Sequence, residues 1–115
     1  MATLPPGQQR DELLAQLRAT RDTLMSAEWL TRIRRAPPEQ RTAAADAQFK
    51  VHIAILDFET AELDDIRDDL IANSAELSRA TGGLKDALTS LNRVAAVLKA
   101  VSGFLDVVAK VVKLV

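Results

Sequence analysis

The sequence predicts an all-α protein, and two observations support this. Its 115 residues are rich in alanine, leucine, valine, aspartate and arginine, with only four glycines and four prolines, a composition typical of helices. From Phe49 to Val112 every seventh residue is also large and apolar, and a second, mostly apolar series follows three positions later. This heptad is typical of long helices that pack along a seam. The first series comprises Phe49, Leu56, Leu63, Leu70, Leu77, Leu84, Leu91, Leu98, Leu105 and Val112.

The first predicted helix spans residues 8–35. We expect residues 1–7 to be a disordered lead-in, because the two prolines and the glycine at its end cannot continue a helix backwards. Asp11 and Glu12 suit the positive N-terminal end of the helix, and three arginines suit its negative C-terminal end. The segment Ala36-Pro37-Pro38 ends it, because the residue before a proline avoids the helical conformation.

The second predicted helix spans residues 39–81. Within it, residues 49–55 alternate between apolar and other side chains, which is also a strand pattern. The helix is favoured, because no turn residues flank the run and a single strand would have no partner. Between Phe49 and Phe58 this helix is apolar on most sides, so we expect it to be the most enclosed part of the fold.

Gly82 and Gly83 are the strongest helix breakers inside the heptad. We predict that they form the turn of a long antiparallel hairpin between helices 39–81 and 84–115, with the shorter first helix packed on it as part of one domain, residues 8–115. The heptad phase continues through the glycines, so one continuous rod is the alternative. The hairpin is favoured because two glycines inside a helix cost about 2 kcal/mol relative to alanine. The predicted hairpin seam comprises Leu56, Leu63, Leu70, Leu77, Leu91, Leu98 and Leu105.

The third predicted helix is apolar over a wider arc than one neighbouring helix can cover. One shoulder of the arc carries the small residues Ala95, Ser102 and Ala109, which would let a neighbouring helix approach closely. The other shoulder is large and apolar, and we predict that it faces a partner protein or a membrane. It comprises Val97, Phe104, Val107, Val111 and Leu114.

No pattern in the sequence indicates catalysis or a cofactor. The chain has no cysteine, and its one histidine, His52, is expected to be half-buried and structural. Six acidic residues between positions 59 and 69 lack the spacing of a calcium loop or a di-iron bundle. A net charge of −1 and four aromatic residues argue against nucleic-acid binding. We therefore expect no enzyme activity, cofactor, metal or small-molecule substrate.

These observations favour a non-enzymatic interaction or assembly protein that self-associates or binds another helical protein through its C-terminal helix. The alternative is a membrane-active subunit, pore-forming or membrane-binding, that places the same helix at a lipid surface. Lys99, Asp106 and Lys110 argue against a lone transmembrane span, because each charge is costly in the bilayer. The N-terminus resembles no signal peptide, so we expect a cytoplasmic protein, with peripheral membrane association under the alternative.

Overall fold

The computed structural model describes residues 5–112, and every regular element in that range is an α-helix. The all-α fold class is therefore confirmed. The alternative strand at residues 49–55 is wrong, because those residues lie inside a long helix. The helices are α1 (Pro6–Leu24), α2 (Ala27–Arg34), α3 (Pro38–Thr60), α4 (Leu63–Ala72), α5 (Ser74–Leu88) and α6 (Val94–Val108).

The first helix begins earlier than predicted. α1 starts at Pro6, with Pro5 as its N-cap residue, and the backbone N–H of Gln9 donates to the carbonyl of Pro5 at 2.9 Å. Proline suits this position because its φ angle is already helical and it lacks an N–H that the helix could not pair. The predicted disordered lead-in is therefore wrong for Pro6 and Gly7, and residues 1–4 lie outside the described range.

The predicted first helix is divided into α1 and α2 at Met25 and Ser26. Ser26 is the N-cap of α2: its Oγ accepts a hydrogen bond from the backbone N–H of Trp29 at 3.2 Å. A serine side chain in this place satisfies one of the unpaired amides at the start of a helix. The predicted boundary at the proline pair is confirmed, since α2 ends at Arg34 and α3 begins at Pro38.

The predicted second helix is divided into α3, α4 and the first part of α5. At the first break, Ala61 and Glu62 have extended backbones, with ψ angles of 136° and 133°. Asp64 and Asp65 then stand in the first turn of α4, where negative charge is favourable. At the second break, the Asn73 side-chain amide donates to the carbonyl of Asp69 at 2.8 Å, satisfying an acceptor near the end of α4.

The predicted turn at Gly82 and Gly83 is wrong, because both glycines lie inside α5 and are exposed there. The chain turns instead at residues 89–93, a segment rich in polar residues that favour turns. α5 and α6 pack against each other on either side of this turn. The long hairpin and the continuous rod are both replaced by a shorter pair of helices.

The wide apolar arc of α6 is covered on two sides within the chain. α6 packs against α5 and against α3, while α1 packs against α3 and α4. One unbroken second helix could have covered only one side of α6, but its division lets α3 and α5 cover one side each. The largest fully buried side chains of the resulting core are Trp29, Phe58, Phe104, Leu17, Leu24, Ile55, Leu70 and Leu84.

The predicted seam is buried only in part. Leu70, Leu77, Leu91 and Leu105 belong to the core, and Leu63 and Leu98 pack against it while remaining partly exposed. Leu56 is wrong as a seam residue, because it is 45% exposed. The expectation that residues 49–58 are the most enclosed part of the fold is also wrong, since Phe49, Lys50, His52 and Leu56 are exposed.

Candidate functional site

The predicted partner-facing surface of the C-terminal helix lies largely inside the fold. Val97, Phe104 and Val111 are buried in the core, and Val107 is partly buried against it. These side chains are covered by the chain itself, so they form no open surface. Leu114 lies outside the described residues.

The outward side of α6 is the shoulder of small residues instead. Ala95, Ser102 and Ala109 are all exposed, together with Lys99 and Asp106. The prediction that the small residues admit a neighbouring helix is therefore wrong within this chain. This side of α6 presents small and charged side chains, with few atoms that an apolar partner could bury.

Among residues 5–112, the exposed large apolar side chains are Met25, Leu30, Phe49, Leu56 and Ile71, of which Phe49 and Leu56 share one side of α3. Phe49 is 57% exposed and Leu56 is 45% exposed, and Ile53 between them is partly buried. The spacing of four and three residues places all three on one side of the helix, over about 10 Å at 1.5 Å per residue. We call these three residues the α3 face.

An ion pair lies near each end of the α3 face. At its N-terminal end, Lys50 Nζ lies 3.1 Å from Asp46 Oδ2 on the same helix. At its C-terminal end, Glu59 Oε1 lies 3.9 Å from Arg18 Nη2 of α1. All four side chains are at least 44% exposed, so these ion pairs contribute little to stability. His52, expected to be half-buried, is exposed on the same helix.

The exposure of the α3 face has a signal in the sequence. In the heptads that begin at Phe49 and Leu56, the second-series positions are His52 and Glu59. From Ala80 onward the second series is apolar throughout. A helix whose apolar residues occupy only one of the two series has a narrow apolar stripe. Part of that stripe can remain exposed in the fold.

A cleft separates α2 and its connection to α3 from the start of α6. Its volume is about 790 Å³. Arg32, Arg35 and Arg93 line it, together with one acidic residue, Glu28. We call these three arginines and the space between them the arginine cleft. Sequence analysis missed it, because Arg93 is distant from the other two arginines along the chain.

Within residues 5–112, no three His, Asp or Glu side chains are grouped so that they could hold a metal ion. The acidic residues of α4 are all exposed, and Asp64 pairs with Arg67 one turn later. Over the same range, no helix combines the length and the apolar character needed to cross a membrane.

Comparisons of the chain with protein-family models, with curated proteins and with solved structures found no match. Its function is therefore inferred from its own surfaces, of which the α3 face and the arginine cleft are the most distinctive.

Proposed function

We propose that the chain is a non-enzymatic assembly protein that associates with a second copy of itself through the α3 face. The observation that carries this proposal is the exposure of Phe49, which is 57% exposed in a fold that buries Phe58 and Phe104 almost completely. Aromatic residues are enriched at the centres of protein interfaces. Leu56, two turns further along α3, is exposed on the same side of the helix.

The order of the apolar residues along the α3 face favours a second copy as the partner. When two α3 helices pack antiparallel and centred on this face, Phe49 of each copy lies opposite Leu56 of the other, with Ile53 between them. Such an interface is isologous: the same residues contribute from both copies, as in most two-fold dimers. The helix dipoles also oppose each other in this arrangement.

The length of α3 predicts a weak dimer. α3 has 23 residues and is therefore about 35 Å long at 1.5 Å per residue. Contact between one helix and its copy lies at the lower end of specific interface sizes, where association is transient. We expect a dimer whose population rises with concentration over the micromolar range.

Sedimentation equilibrium from micromolar to millimolar concentration tests the proposal. We expect the wild-type mass to rise above the 12.5 kDa of the monomer, and Phe49→Glu to stay at 12.5 kDa while keeping its helix content. Ile71→Glu is the matched control, because Ile71 is a similarly exposed apolar residue on another helix, α4. A wild type that is monomeric throughout, or an Ile71→Glu variant that is equally impaired, contradicts the proposal.

A charged substitution at Leu56 tests the antiparallel geometry. In that arrangement Leu56 of each copy lies opposite Phe49 of the other, so Leu56→Glu is expected to weaken the dimer about as much as Phe49→Glu while keeping its helix content. If Leu56→Glu associates as well as wild type, the two α3 helices do not pair in this way.

The two roles predicted for the C-terminal helix, partner binding and membrane activity, both require α6 to leave the core. That would expose buried side chains such as Val97 and Phe104. Liposome flotation at low and high salt distinguishes the membrane alternative from the proposed dimer. We expect the chain to stay in solution with neutral vesicles and with anionic vesicles that lack phosphorylated inositol lipids, whereas flotation that is lost on removal of residues 91–115 favours the membrane role.

A further inference from the structure

We propose that the arginine cleft binds a compact polyphosphate group. The cleft holds about 790 Å³, within the range of about 300–1,000 Å³ that small-molecule sites occupy. It lies between α2 and the start of α6, well apart along the chain from the α3 face at residues 49–56, and it would take a ligand independently of self-association.

The lining of the cleft carries net positive charge. Arg32, Arg35 and Arg93 face one carboxylate, Glu28, whose Oε1 lies 3.5 Å from Arg32 Nη2. Among residues 5–112, neither Arg35 nor Arg93 has a carboxylate within 4.0 Å. Guanidinium groups present paired N–H donors that match two oxygens of a phosphate, so two of them are available for an anion.

The position of Arg93 favours a bound anion. It is the N-cap residue of α6 and makes no capping hydrogen bond with its side chain, and the first turn of α6 contains no acidic residue. The N-terminal end of a helix is already positive, so a cation there is unfavourable unless a negative group lies nearby. Arg35, by contrast, follows the C-terminal end of α2, where a positive charge is favourable.

The other lining residues indicate the class of anion. The apolar part of the wall consists of small side chains, and the lining contains no aromatic residue on which a nucleobase could stack. Thr31, Gln40 and Asn92 add uncharged hydrogen-bonding groups. A wall of this kind can hold a dense set of phosphate oxygens but offers no pocket for a base or a large peptide side chain. The apolar lining residues are Ala27, Ala36, Val94 and Ala95.

Calorimetric titration of the full chain with tripolyphosphate tests the proposal. We expect saturable binding that weakens with salt. Arg35→Gln and Arg93→Gln should each lower the affinity about tenfold, because each removes a charged hydrogen bond to phosphate. Arg41→Gln is the matched control: it removes the same charge from an exposed position of α3 outside the cleft lining, and its affinity should stay within about twofold of wild type. Glu28→Gln removes the competing carboxylate and is expected to bind more tightly.

A second probe identifies the source of the phosphate. Vesicles that contain a phosphorylated inositol lipid present the group on a headgroup, and tripolyphosphate should displace the chain from them if both use the cleft. Binding to either probe that depends on Arg93 supports the proposal. The proposal is overturned if neither probe binds, if Arg41→Gln weakens binding as much as Arg93→Gln, or if an oligoglutamate peptide binds as tightly as tripolyphosphate.

Discussion

Lys110 Nζ lies 2.6 Å from Glu76 Oε2 and donates a hydrogen bond to it, although the two residues are 34 positions apart. Lys110 follows the end of α6 and Glu76 stands in the first turn of α5. The pair therefore places the end of one helix beside the beginning of the other. α5 and α6 run antiparallel, and the turn at residues 89–93 lies at the opposite end of the pair.

This contact predicts a small acid-dependent loss of stability. The hydrogen bond from Lys110, and then its positive charge, hold the pKa of Glu76 below its ordinary value of 4.5. A carboxyl group with a lowered pKa stabilises the folded state above its unfolded pKa, and this contribution is lost as the pH falls through the folded value. We expect Glu76→Gln to lower the urea midpoint slightly at neutral pH and to lose less stability than wild type on acidification below pH 4.5.

The urea midpoint can be followed through the fluorescence of Trp29, which is the single tryptophan of the chain and is 1% exposed. Asp106→Asn is the control, since Asp106 is exposed on α6 and no ion pair to it is present among the described residues. Identical acid dependence in wild type and Glu76→Gln would show that the contact with Lys110 does not persist in solution.

The position of Gly82 and Gly83 inside α5 gives a second prediction. A Cβ built on either glycine meets nothing within 4 Å, and neither residue has a positive φ angle. Alanine at each position should therefore raise the free energy of unfolding by about 0.5–1 kcal/mol, because it loses less backbone entropy in a helix.

Gly103→Ala is the reference for this pair, because Gly103 lies inside a helix both in the sequence prediction and in the structure, with the same open surroundings. Urea unfolding should show similar gains at all three positions. A turn at residues 82–83 would reverse the sign, since an alanine forced into a left-handed conformation destabilises the fold.

The sequence predicted the features that depend on local steric clashes and on the periodic spacing of apolar residues. The break before Pro37 follows from the clash that a proline imposes on its neighbour, and it is confirmed. The burial of Leu70, Leu77 and Leu105 follows from the heptad, because helices of any length must bury their apolar stripe.

The breaks that the sequence did not predict lack glycine or proline. Glu62 and Asn73 occupy chain positions where a long helix could continue, and the packing of α4 against α1 and α5 favours a break there. The direction of the apolar arc of α6 was equally undetermined, because it depends on which helices cover it. Arg35 and Arg93 meet in one cleft only through that arrangement, so the site could not be derived from spacing.

Two phenylalanines with opposite exposure give a third prediction. Phe104 is 1% exposed between α6 and the helices that cover it, whereas Phe49 is 57% exposed on α3. Phe104→Ala should lower the free energy of unfolding by about 3–5 kcal/mol, because it leaves a cavity in the core. Phe49→Ala should change it by no more than about 0.5 kcal/mol.

Urea unfolding at low micromolar concentration, where the proposed dimer contributes least, measures both variants. Phe104→Leu should lose less than Phe104→Ala, since leucine refills part of the cavity. If Phe49→Ala costs as much as Phe104→Ala, then the exposed side of α3 is covered in solution. A Phe104→Ala variant as stable as wild type would show that α6 does not pack in the core.

The serine between α1 and α2 gives the last prediction. Ser26 Oγ accepts a hydrogen bond from the backbone N–H of Trp29 at 3.2 Å and donates one to the carbonyl of Thr23 at 2.7 Å, so one hydroxyl joins the end of α1 to the start of α2. Ser26→Ala removes both bonds and should lower the free energy of unfolding by about 1 kcal/mol. Ser26→Asp keeps an acceptor at the N-cap and should retain most of the stability.

Ser102→Ala is the matched control, because Ser102 is exposed inside α6 and alanine is the better helix former there, so stability should hold or rise slightly. Trp29 lies three residues from the substituted cap, and its fluorescence reports the unfolding of all three variants. Equal losses for Ser26→Ala and Ser26→Asp would show that the cap is not what stabilises this junction. In that case the bend between α1 and α2 would depend on the burial of Trp29 alone, and a Trp29→Phe variant, still apolar but smaller, would be the substitution that weakens it.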